Sequence, residues 1–155
     1  MSLNPAFAHV NIVARDWRKL ADFYTNVFGC KPVPPERDLS GAWVDRLTGI
    51  QGVHIQGIHL RLPGYGESGP TLEIFGYDPP GAEGAKSIDS RGFAHIAFAV
   101  DDVKAALETV MTAGGGAVGE TVVIGVPGKG TVTVVYATDP EGNIVELQKW
   151  SPGKK

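Results

Sequence analysis

The chain has 155 residues, of which 43% are hydrophobic and 20% charged, with a formal net charge of −3. That is enough chain to bury a core without disulfides, and so mild a charge gives no footing to nucleic acid or an anionic membrane as partner. The single Cys30 excludes an intrachain disulfide, and no apolar run has membrane-spanning length or the pattern of a secretory leader, so a reducing, cytoplasmic setting is expected.

Residues 7–13, FAHVNIV, alternate as a strand does. Phe7, His9, Asn11 and Val13 share one face, while Ala8, Val10 and Ile12 share the other. Asp16 offers an N-cap, after which Trp17, Leu20, Ala21, Tyr24, Val27 and Phe28 recur at helical spacing until Gly29 stops the helix. Cys30 follows as a structural thiol. Residues 32–39 are expected to be irregular. Strands are predicted at 41–47, 53–62 and 71–77, with Gly and Pro at the junctions. Residues 78–92, DPPGAEGAKSIDSRG, have no periodicity and much turn chemistry, which is linker composition.

The opening events then return at a constant offset. Phe93-Ala94-His95 matches Phe7-Ala8-His9, and Asp102 matches Asp16. In a strand from Phe93 to Val100, one face carries Ala94, Ile96, Phe98 and Val100, and the other carries His95 between small side chains. The helix face matches as well, with Val103, Ala106, Leu107, Val110 and Met111 ending at Gly114-Gly115-Gly116. Strands are predicted at 117–124, 131–137 and 143–150, with Asp139-Pro140-Glu141-Gly142 as a tight turn. An internal repeat organises the chain. The fold class is α+β, two tandem βαβββ modules at 1–78 and 93–150, a linker at 79–92, a tail at 151–155, and one structural domain overall.

Each final strand holds one carboxylate in an apolar run. Glu73 lies between Leu72 and Ile74, and Glu146 between Val145 and Leu147. Alternation puts each Glu opposite its aliphatic neighbours, where an unpaired charge is costly. A lone strand His or Glu is ordinarily a solvated or satisfied side chain. A His from each first strand and a Glu from each last strand, at equivalent places in both repeats, instead suit one divalent ion: Zn, Ni, Co, Mn or Fe. His54 and His59 fall outside the repeat pattern and read as surface or cavity-wall residues.

His9 in FAHVNIVARD, Glu73 in LEIFGYD, His95 in GFAHIAFAVDD and Glu146 in YATDPEGNIVELQ resemble the vicinal oxygen chelate superfamily, which includes glyoxalase I, methylmalonyl-CoA epimerase and the extradiol dioxygenases. The resemblance implies curled mixed sheets forming a half-barrel metal cavity, with His9, Glu73, His95 and Glu146 as metal ligands. It also implies a homodimer and a small-molecule substrate presenting adjacent oxygens. A carboxylate at 73 is similar to glyoxalase I, yet Val13 and Tyr77 stand where those enzymes hold glutathione with Arg and Asn, which counts against a glutathione thioester. The expected activity is a metal-dependent lyase or isomerase reaction, abstracting a proton next to a carbonyl to give an enolate, with Glu146 or Glu73 as base and Tyr136 at the substrate. The alternatives are an Fe(II)-dependent extradiol-type dioxygenase and a non-catalytic drug-sequestering protein; four ligands argue against both.

Overall fold

The computed structural model describes residues 4–153, which form two compact units meeting in the chain between Glu83 and Gly84. In the first unit, strand β1 (His9–Val13) leads to helix α1 (Trp17–Phe28), strand β2 (Lys31–Leu39), helix α2 (Ala42–Thr48) and strands β3 (His54–Arg61) and β4 (Thr71–Asp78). The sheet order is β1-β4-β3-β2, with β1 parallel to β4 and the other pairs antiparallel. The helix begins and ends as its residues dictate. The Asp16 carboxylate accepts from the Lys19 N–H, and Gly29 takes the left-handed conformation at φ 68°. Leu20, Ala21, Phe23 and Tyr24 are buried from α1, which packs on β3 and β4, where Leu60, Leu72 and Ile74 are also buried. Each large side chain so buried contributes about 1.5–3 kcal/mol of transfer free energy.

The two sequence expectations between helix and β3 fail, each for a physical reason. Residues 32–39, expected to be irregular, lie in β2. Proline cannot donate to a ladder, but β2 is an edge strand, and its pairing with β3 breaks register between Val33 and Arg37, where Pro34 and Pro35 stand. Residues 41–47, predicted as a strand, lie mostly in the helix α2. Gly49 closes that helix in the left-handed conformation, and the Asp45 carboxylate folds the following loop back by accepting from Val53 N–H and the Gln51 amide. With Val44 buried beneath it, a short apolar run has served a seven-residue helix of about two turns instead of a strand.

The second unit repeats the plan without the extra helix: β5 (His95–Ala99), α3 (Val103–Thr112), β6 (Gly116–Val126), β7 (Gly130–Thr138) and β8 (Ile144–Ser151). The order β5-β8-β7-β6, with β5 parallel to β8, matches the first sheet strand for strand. Asp102 caps α3 through the Ala105 N–H. Gly115 lets the chain leaving α3 pass close to β7, since a Cβ there would lie 2.2 Å from the Thr138 carbonyl oxygen. The α+β class and the tandem βαβββ modules are therefore observed. Among the described residues no helix is long and apolar enough to cross a membrane.

Cys30 is buried, and that burial pushes its thiol up to about 11. Its thiolate is therefore scarce at neutral pH. Alkylation of the folded protein at pH 8 is expected to be slow, becoming fast on unfolding; mass spectrometry after iodoacetamide treatment reads it. Rapid labelling of the native chain would contradict the placement.

Candidate metal centre

The first site is built around the central strand β4. Its residues 72 and 74 point into the core, so Glu73 emerges on the opposite face, flanked in register by Asn11 of β1 and His59 of β3. The side chain is 13% exposed. The Asn11 amide donates to its Oε1 at 2.9 Å, and His59 Nε2 lies 2.6 Å from its Oε2. His9 Nε2 is 3.8 Å from Oε1, and the rings of His9 and His59 meet edge to face with centroids 5.4 Å apart. The other nitrogen of His59, Nδ1, is 2.9 Å from the Thr71 hydroxyl. Burial chiefly lowers the pKa of His59, with the Arg37 and His9 charges adding to it, while the Glu73 carboxylate opposes the shift.

One ligand atom from each of His9, His59 and Glu73 lies within 4.8 Å of the other two. Two imidazoles and a carboxylate form a borderline donor set suited to Zn, Ni, Co or Fe. The donor chemistry fits a divalent metal. Among the described residues this is the group of three or more such side chains so placed.

The second site repeats the geometry with different chemistry. On β8, Glu146 is flanked in register by Ala97 of β5 and Tyr136 of β7. His95 Nε2 lies 3.2 Å from Glu146 Oε2, and the His95 and Tyr136 rings have centroids 5.3 Å apart. Desolvation, then the Glu146 charge and hydrogen bond, raise the Tyr136 phenol above its ordinary pKa. The residues expected at a site thus come together within each module: His9 with Glu73 in the first, and His95 with Glu146 and Tyr136 in the second.

His54 and His59 were both expected as surface or cavity-wall residues, and the two part company. His54 pairs with Asp38 of β2 at the surface. His59 instead stands opposite Glu73, the position Tyr136 takes opposite Glu146. A signal for it was present in the sequence: Ile58 and Leu60 flank His59 as Leu72 and Ile74 flank Glu73. The same parity that singles out the carboxylate singles out the imidazole.

The sequence matches the family model described as Glyoxalase/Bleomycin resistance protein/Dioxygenase superfamily over residues 6–147. A mitochondrial methylmalonyl-CoA epimerase of Dictyostelium discoideum is 25% identical over 141 residues, 91% of this chain and 76% of that protein. Among solved structures, a glyoxalase family protein from Bacillus cereus superposes with a TM-score of 0.73 at 17% identity, covering 97% of this chain and 95% of that one. A glyoxylase/bleomycin resistance protein/dioxygenase domain from Frankia sp. EAN1pec gives a TM-score of 0.63 at 17% identity, covering 99% and 96%.

Proposed function

Because the chain belongs to the glyoxalase/bleomycin resistance protein/dioxygenase superfamily, whose fold serves several reactions, we propose a metal-dependent lyase or isomerase of glyoxalase I-like or epimerase-like type. The observation that carries this reading is the recurrence of one His–Glu pair in each module, at 3.8 Å for His9–Glu73 and 3.2 Å for His95–Glu146. His9, Glu73, His95 and Glu146 would hold one divalent ion. When bound, that ion supplies Lewis acidity to a carbonyl oxygen. The substrate is a small molecule with two adjacent oxygens, and the epimerase relative favours the acyl class. Assembly as a homodimer and a cytoplasmic location complete the proposal.

The chain's own residues divide the work. Glu146 takes the proton next to the carbonyl: Ala97 occupies the place beside it that Asn11, which donates to Glu73, holds in the first module. Glu73, already engaged by Asn11 and His59, is the second carboxylate of a 1,2-proton shift, which needs one group to remove and another to return. Tyr136, its phenol protonated at neutral pH, donates to a substrate oxygen. The test is solvent exchange. Metal-loaded protein is incubated with hemithioacetals and with 2-methylacyl-CoA esters in D₂O, and deuterium next to the carbonyl is followed by NMR. Incorporation into one class is expected; none in either, with metal bound, would sink the proposal.

A further inference from the structure

We propose that His59 is itself a metal ligand, so that the first module supplies three donors, His9, His59 and Glu73, to a divalent ion; this rests on the metal-binding reading above. Three features of the geometry converge on it. The first is aim: β3 and β4 register sets His59 directly opposite Glu73, and Nε2 of His59 lies 2.6 Å from Oε2 while Nε2 of His9 approaches Oε1 of the same carboxylate. Three potential ligand atoms from three neighbouring strands thus lie within 4.8 Å of one another.

The second is support. His59 Nδ1 is engaged by the buried Thr71 hydroxyl, and the Asn11 amide fixes Glu73. A ligating imidazole characteristically has its other nitrogen held in this way, which sets ring orientation and tautomer. In the metal-free chain Nε2–H donates to the Glu73 carboxylate and Nδ1 accepts from the Thr71 hydroxyl; an ion that displaces the Nε2 proton leaves Nδ1–H to donate to the same hydroxyl, which can serve either way.

The third is the contrast with the duplicated half. At the matching register the second module carries Tyr136, and beside Glu146 it has Ala97 in place of Asn11. The second module therefore offers two ligands and a phenol, whereas the first offers three ligands with two supporting groups. The first module would thus supply most of the donors, leaving Glu146 to move a proton.

Cobalt(II) is the probe, because its visible absorption reports coordination directly and needs no substrate. The full chain is titrated as wild type, as His59→Ala, and as the double variant His95→Ala/Glu146→Gln, with circular dichroism as the check on folding. His59→Ala is expected to weaken binding by about 100-fold or more, beyond the roughly 10–100-fold that loss of an orienting partner costs. The double variant keeps one ion, weakened by less than that. Wild-type affinity and spectrum in His59→Ala would overturn the inference and leave the four-ligand reading standing. No uptake by the wild type would overturn both. Should a variant misfold, histidine nitrogen NMR of the wild type with added Zn²⁺ decides: His59 Nε2 shifting together with His9 supports ligation, and His9 shifting alone overturns it.

Discussion

Glu146→Gln is expected to slow deuterium incorporation into the carbonyl substrate by about 10²–10⁴-fold, the contribution of a positioned general base. The substitution keeps the shape and length of the side chain on β8 while removing its ability to accept a proton. Apart from weaker metal affinity, which saturating metal offsets, little else should change. Glu146 is 16% exposed, and its neighbours are the His95 Nε2 at 3.2 Å and the Tyr136 phenol, both of which the carbonyl oxygen of Gln can still meet. Glu73→Gln provides the comparison. Its carboxylate already serves Asn11 and His59, so the same replacement should act mainly through metal affinity and less on the rate with metal saturating. NMR in D₂O at saturating metal, with unchanged circular dichroism, separates the two effects. If Glu73→Gln lost the rate and Glu146→Gln kept it, the base would be the other carboxylate. If both kept it, no carboxylate removes the proton.

Asp139→Ala carries the largest expected effect on stability, about 3 kcal/mol. Asp139 is 2% exposed, and its carboxylate ties together the turn into β8. Oδ1 accepts from the backbone N–H groups of Glu141 and Asn143, each at 2.9 Å, and Oδ2 accepts from the Asn143 amide at 2.7 Å. The backbone closes the same loop, Asp139 N–H donating to the Asn143 carbonyl, while Gly142 adopts φ 82°. Removing the carboxylate strands three donors where water has little access. For a chain of this size each kcal/mol lowers the melting temperature by about 2–4 °C, so a drop of about 6–12 °C should appear by calorimetry. Asp139→Asn, which retains one good acceptor, should fall in between. An unchanged melting temperature would mean that the turn is held by its backbone alone.

How much of this was legible beforehand depends on the residue. The first strands, both main helices and the final strands announced themselves because alternation, an Asp cap and a Gly stop agree locally at Asp16, Gly29 and Asp102. The duplication doubled every such signal. What stayed hidden was set by neighbours in space. Pro34 and Pro35 look like strand breakers until β2 is known to be an edge with its pairing interrupted there. The segment GAWVDRLTG carries too few residues for its period to be read, and its helix depends on Asp45 capturing the loop beyond it. His59 is the instructive case at the site. Its parity matched that of Glu73, but only the register of β3 against β4 puts the two side by side.

The parallel pairing of each module's first strand with its last has a consequence for how the protein is made. His9 aligns with Thr71, and His95 with Ile144, so the sheet edge holding each histidine cannot form until the whole module has been synthesised. Contacts this distant along the chain must close a long loop before they repay it, which slows folding. A ribosome-bound chain halted before β8 would show a complete first module and a second whose opening strand has no partner. Chemical competence therefore arrives late in translation and in two steps.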